Sequence, residues 1–380
     1  MIGSTLIHIR KYIKKRRMNF LKIFVLFVVV VVLSARCNST EKVINQNNIS
    51  SDEVIPRKIK GVSLPVWEKD GYFSEKFTIA LEEIKEIGAN FVAIIPTVFQ
   101  NDITESLIFE SEKTPSDEGV IHAIKTAKQK GFHVMLKPHL DLTNQTIYRG
   151  LIDPKDIESW EKNYMSMILK YARIANQFDV EILCIGTELE NISFRYPEIF
   201  EKVIRKVREI FKGKLIYAAN WTEYKKISFW DKLDFVGIDA YFPIANSTNP
   251  IENELIKNWE LIFSDIYEFK EKTGKEVVFT EIGYLDKDGT CIQPFNWLVN
   301  SQEDQEEQAL CYNVALNFAL ERIKGVFIWE WEFYKVKGES GYSPRGKRAE
   351  GYIKEIFGRF DFTLHNVPYR NLYTPAACLK

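Results

Sequence analysis

The sequence predicts an α/β protein folded as a single (β/α)8 TIM barrel, on three observations. From Lys58 onward, short apolar runs alternate with longer stretches of helical period, the pattern of parallel strands joined by helical crossovers. Eight such runs occur, where an open doubly wound sheet usually has about five to seven strands. No GxGxxG or Walker loop follows any of them, so the nucleotide-binding sheet lacks its chemical signature.

Taken in order, the first run, 59–64, opens the body and is followed by an amphipathic stretch, 78–87, that stops at Gly88. The second run, 91–96, leads to the helix 120–130 and its stop at Gly131. After the third run, 133–138, and the helix 160–176 comes the fourth, 180–185, which includes Ile182-Leu183-Cys184-Ile185. The helix 199–211 ends near Gly213, and runs five and six are 215–219 and 235–238. The helix 256–271 ends before Gly274, the seventh run is 277–280, and the helix 302–323 leads into the eighth run, 325–329. A last helix, 351–357, closes the barrel. Glycine is expected just past a helix end because it accepts the left-handed conformation there.

Composition agrees with a globular chain: 380 residues, 27% charged, 46% hydrophobic, with 19 Gly and 13 Pro. The net charge of −1 hides an asymmetry, since residues 1–37 carry eight basic residues and no acid. The rest has 43 basic against 52 acidic residues, a net of −9. Binding to a phosphate backbone draws on Lys and Arg, so nucleic acid is not an expected partner.

The first 37 residues read as an export signal: a basic stretch from Lys11 to Arg17, Lys22, and an apolar run over 23–33, with Met18 as an alternative start. Eleven apolar residues are short for a bilayer span but suit a signal-peptide core. Leu33-Ser34-Ala35-Arg36-Cys37 resembles a bacterial lipobox, with Arg36 standing where a small residue is expected. The expectation is a lipid anchor at Cys37 and a place in the bacterial cell envelope, with ordinary signal cleavage or an uncleaved anchor as alternatives. Residues 38–57 are polar and Asn/Ser-rich and read as a tether. The catalytic domain is expected over 58–358 and a peripheral tail over 359–380.

The five cysteines show no zinc-site spacing, so no metal is expected. Cys184 reads as a small buried hydrophobe. Whether Cys291 and Cys311 pair is left open, because nothing in the sequence fixes their distance.

In a barrel of this kind the reactive groups stand at the C-terminal strand ends. Strand four ends in Thr187-Glu188, and strand seven in Thr280-Glu281. Paired carboxylates are what retaining glycoside hydrolysis needs: one attacks the anomeric carbon, while the other gives a proton to the leaving oxygen and later takes one from water. A lone strand-end glutamate reads more simply as a salt-bridge partner; two in these local sequences do not.

These residues carry a resemblance to clan A of the glycoside hydrolases, closest to family 113, the β-mannanases. It extends from about Lys60 to Ile356 through Cys184-Ile-Gly-Thr-Glu188-Leu189, Tyr217-Ala-Ala-Asn-Trp221, Asp234-Phe-Val-Gly-Ile-Asp-Ala-Tyr-Phe242, Phe279-Thr-Glu-Ile-Gly283 and Tyr342-Ser-Pro-Arg-Gly-Lys347. The resemblance implies Glu188 as acid/base and Glu281 as nucleophile. Many clan members have Asn where this chain has Thr187, and Asn220 is expected to share that sugar-binding role. Tyr241 resembles the clan tyrosine that bonds the nucleophile. The strand-two arginine of the clan is missing, and Lys137 is the candidate replacement, with a simple pair to Asp141 as the bland alternative.

A sugar ring has an apolar C–H face and a hydroxyl rim. Trp67, His139, Trp221, Trp329 and Trp331 are therefore further substrate-binding candidates, with ordinary packing as the alternative for each Trp. Period two places Trp329 and Trp331 on one side of strand eight and turns Glu330 and Glu332 away. The expected function is cleavage of β-1,4-mannosidic bonds without a cofactor, by a monomer acting on a β-linked polysaccharide or oligosaccharide. The alternatives are a clan relative acting on another β-linked glycan and a surface glycan-binding lipoprotein without turnover.

Overall fold

The computed structural model describes residues 55–360. The export segment with Cys37, and residues 38–54 and 361–380 of the expected tether and tail, lie outside the described residues.

Eight parallel strands close into a barrel in chain order: β1 (Ile59–Pro65), β2 (Phe91–Ile95), β3 (His133–Leu136), β4 (Ile182–Thr187), β5 (Lys214–Asn220), β6 (Phe235–Asp239), β7 (Glu276–Ile282) and β8 (Gly325–Ile328), which pairs back to β1. Around them lie α1 (Glu75–Glu86), α2 (Asp117–Gln129), α3 (Ile157–Gln177), α4 (Glu190–Arg195), α5 (Pro197–Ile210), α6 (Glu252–Thr273), α7 (Gln305–Arg322) and α8 (Arg348–Arg359). Helices α1, α2 and α3 begin about a turn before the first apolar residue of the pattern, because a polar cap starts each of them. Ser74, Ser116 and Asp156 accept hydrogen bonds from the backbone N–H groups of Phe77, Gly119 and Ser159. The expected glycine stops hold at Gly88, Gly131 and Gly274, all with positive φ. Gly213 serves differently: a Cβ there would lie 2.4 Å from the Phe211 ring, so close approach demands the glycine.

Strands two and three were expected to run through Pro96 and Pro138; both stop short, since proline offers no ladder N–H. The chain then re-pairs outside the barrel as a two-stranded rim sheet, Thr97–Gln100 against His139–Leu142. That sheet and α4 are absent from the sequence reading.

Two apolar layers hold the barrel. Inward-facing Ile59, Phe91, Met135, Ile182, Ile216, Phe235, Val278 and Phe327 fill its interior, while outward-facing residues of the same strands pack under the helices. This double burial is why the strands read as apolar runs rather than alternating ones. Ile55, placed in the tether by its polar surroundings, is 7% exposed and joins the interior cluster, so the packed body begins before residue 58. Cys291 and Cys311 form a disulfide, and Cys184 is a buried free thiol. No helix among the described residues is long and apolar enough to cross a membrane.

Candidate active site

The barrel's ladders are regular at the base and shift register near the C-terminal ends, between Cys184 and Thr187, between Ile238 and Asp239, and between Val326 and Ile328. Such irregularities re-aim side chains. Glu188 follows the first shift with φ of 51°, a left-handed conformation unusual for a non-glycine residue. It is held there by its backbone N–H, which donates to the Ala218 carbonyl at 2.8 Å.

A cavity of about 600 Å³ opens at this end, and both Glu188 and Glu281 line it. Glu281 Oε1 accepts from Lys137 Nζ at 2.5 Å, and Oε2 accepts from the Tyr241 hydroxyl at 2.7 Å. Lys137 also reaches Asp239 Oδ1 at 3.3 Å, to which Thr280 donates at 2.7 Å. Burial works to neutralise the Lys137 ammonium, but the charges of Asp239 and Glu281 prevail and raise its pKa. Lys137 therefore stands in the expected place beside Glu281; its partners are Asp239 and Glu281, not Asp141.

Glu188 Oε1 accepts from the Asn220 side-chain amide at 2.7 Å. Burial raises the Glu188 carboxyl to about 7, the Arg149 charge opposes the rise, and the Glu281 charge adds to it. Behind Asn220, the buried Glu223 accepts from the Asn220 backbone N–H, the Tyr217 hydroxyl and the Ser193 hydroxyl at 3.0, 2.7 and 2.5 Å. Tyr217 in turn accepts from the Leu189 N–H at 2.9 Å. Glu223 thus braces both the backbone after Glu188 and the residue that bonds its carboxyl.

A second cation, Arg149, lines the cavity without touching Glu281. Arg149, beyond the rim strand His139–Leu142, pairs through Nε with Asp141 at 3.1 Å and bonds His139 Nδ1 at 3.0 Å. Guanidinium only donates, so Nδ1 accepts and the proton of a neutral ring lies on Nε2, 3.7 Å from Glu281 Oε1. Burial, then Arg149 and Lys137, hold the His139 pKa well below its usual value. His139 stacks on Trp329 with ring centres 5.8 Å apart.

Trp67, Trp221, Trp329 and Tyr241 line the cavity as expected, together with Asn220. The Trp67 indole N–H is buried with no acceptor among the described residues, a donor suited to a sugar hydroxyl. Several expectations are corrected, the first at His139, which is buried and does not line the cavity. Thr187 is buried with its hydroxyl toward Cys184 at 3.9 Å and does not line the cavity, because the chain turns at Glu188. Trp331 is fully buried in the outer core, its indole N–H donating to Glu83 at 3.1 Å. β8 ends at Ile328, so strand alternation does not extend to Trp331. Glu330, expected to point away, lines the cavity instead; burial and then the Glu332 charge raise its pKa well above the ordinary value. Glu332 pairs with Lys335 at 2.6 Å.

Carboxylates on strands four and seven of a closed (β/α)8 barrel, facing a cavity walled by aromatic rings, are the equipment of a glycoside hydrolase. Residues 64–347 match the model described as Glycoside Hydrolase Family 113, and the chain belongs to that family. Among solved structures, the fold is similar to a family 113 β-1,4-mannanase complex, with a TM-score of 0.73 and 22% identity over 80% of this chain and 99% of that one. It is likewise similar to a family 113 β-mannanase from Alicyclobacillus acidocaldarius, at 0.73 and 21% over 80% and 98%. A family 2 β-galacturonidase from Eisenbergiella tayi, bound to galacturonate, shares the barrel at 0.54 and 15% over 80% of this chain and 52% of that one. No curated protein matches the chain.

Proposed function

We propose that the chain is a retaining endo-β-1,4-mannanase in which Glu281 is the nucleophile and Glu188 the acid/base. The observation that carries this reading is the contrast between the two carboxyl groups. Both oxygens of Glu281 are held by donors, the Lys137 ammonium and the Tyr241 phenol, which fix it as an acceptor facing the cavity, while Glu188 is raised to about 7 by burial and so retains a proton to give near neutrality. A held acceptor suits the nucleophile, and a carboxyl that keeps its proton suits the acid.

Glu281 attacks the anomeric carbon as its bond to the glycosidic oxygen breaks, and that oxygen takes the Glu188 proton. The shortened chain leaves as an alcohol and a glycosyl ester remains on Glu281. Ionised Glu188 then takes a proton from water, the water oxygen bonds the anomeric carbon, and Glu281 is released. The substrate assignment rests on family membership and on the mannanase names of the most similar structures.

Two substitutions test the roles. Glu281→Ala should abolish turnover of mannan, while Glu188→Ala should still form the glycosyl-enzyme from activated aryl mannosides, with azide restoring its breakdown. Appreciable mannan hydrolysis by Glu281→Ala would sink the assignment.

The enzyme is further proposed to be exported and lipid-anchored through Cys37, on the basic stretch, apolar run and lipobox-like segment of residues 11–37. Expressed in a bacterium that processes lipoproteins, the wild type should fractionate with membranes and Cys37→Ala should not. Identical fractionation and processing would favour an ordinary signal or an uncleaved anchor.

A further inference from the structure

Two large apolar side chains are left open to solvent at the edge of the cavity. Phe295 is 37% and Trp297 47% exposed, and both line it. They lie on the segment between β7 and α7, which is tied down at several points. Cys291 is bonded to Cys311 of α7. Glu307 accepts from the Gly289 and Cys291 N–H groups at 2.7 and 3.0 Å. The Ile244 N–H donates to the Cys291 carbonyl at 2.8 Å, and the Tyr342 hydroxyl to the Pro294 carbonyl at 2.6 Å. Exposed aromatic groups on so anchored a segment have not simply been left behind by a collapsing loop; they are held out.

The Phe295 ring stacks on Trp221, centres 5.9 Å apart and 26° between planes, and Trp221 is backed by Phe242 at 5.8 Å. Trp221 directly follows Asn220, the residue that bonds Glu188. Trp221 and Phe295, which both line the cavity, therefore continue it on the side of Asn220 and Glu188, the group that faces the leaving oxygen. A flat aromatic wall beside polar Asn220 and Thr222, which also line the cavity, matches a pyranose ring with its apolar face and hydroxyl rim.

We propose that Trp221, Phe295 and Trp297 form a ledge, fixed by the Cys291–Cys311 disulfide, that seats a sugar of the leaving chain beyond the one joined to the scissile bond. The proposal rests on the assignment of Glu188 as acid and names the substrate as a neutral β-linked chain several sugars long. Seating a distant sugar adds binding energy only where the chain reaches that far, so the ledge favours internal cuts in long chains over trimming of short ones.

The test compares kcat/KM from disaccharide to hexasaccharide in the β-1,4-mannan series, for the wild type and for Phe295→Ala combined with Trp297→Ala. The expected result is a loss of about tenfold or more on the hexasaccharide, and a much smaller loss on the shortest chain that is cleaved. Cys291→Ser with Cys311→Ser should show the same length dependence, and Trp297→Phe should retain most of the preference for long chains. An equal loss at every length, or none, would overturn the ledge. If the wild type cleaves no mannan oligosaccharide, the mannan reading fails by itself, and the series is run on the β-linked glycan it does cleave. In Glu281→Gln protein the long oligosaccharide should change tryptophan fluorescence and Trp297→Phe should diminish that change; an unaltered signal would also count against the ledge.

Discussion

Glu188 is set by opposing neighbours: burial and the Glu281 charge favour the protonated form, Arg149 and the Asn220 amide the ionised one. As the acid it works only while protonated, so kcat/KM should fall as pH rises through about 7. Asn220→Ala removes a donor to the ionised form, so that alkaline limb should move to higher pH, by roughly half a unit to one unit. A limb that stays in place or moves down would show that Asn220 does not act on the Glu188 proton. Both glutamates, Tyr241, Lys137 and Asn220 were legible in the sequence because each sits at or just past a strand end. Arg149 was not: it lies in the stretch 143–151, where neither strand nor helix period gives a direction. Trp331 lies past the last paired residue of β8, where the strand pattern no longer applies, and Thr187 precedes a left-handed residue that the sequence does not announce.

Elements were legible where packing is two-sided and long. The barrel strands and seven of the helices fall within about four residues of the ranges read from the sequence, because their apolar patterns are those of the two core layers. The rim sheet was missed since each of its strands has four residues and follows a proline that ends the barrel strand; no pattern that short distinguishes a strand from a loop. The disulfide was undecided for a related reason: distance between two cysteines is a product of the fold. Its 20-residue separation gives a scale for its contribution, about 3 kcal/mol through the constraint it puts on the unfolded chain. Cys311→Ser should lower the urea midpoint accordingly in oxidising buffer, and wild type and variant should approach one another in reductant. Equal midpoints under oxidising conditions would mean that the bond adds nothing to stability.

At the scale of the molecule, closure of the barrel was readable from the number of apolar runs, and its site from the rule that chemistry collects at one end. What could not be read is how the charges there are spent. Among the described residues the cavity is lined by four acids, Asp141, Glu188, Glu281 and Glu330, and by one base, Arg149, which pairs with Asp141. Lys137 beneath it is committed to Glu281 and Asp239. A sugar bearing a carboxylate would add a negative charge to a space where Arg149 and Lys137 are already paired with carboxylates, a costly placement for a desolvated charge. Neutral sugars are therefore the expected occupants of this cavity and uronic acids the disfavoured ones, although a family 2 barrel of the same fold is bound to galacturonate. Of two oligosaccharides that differ only in a uronic acid beside the scissile bond and its methyl ester, the ester should be hydrolysed at least about tenfold faster; equal rates would mean that Arg149 or Lys137 can change partners.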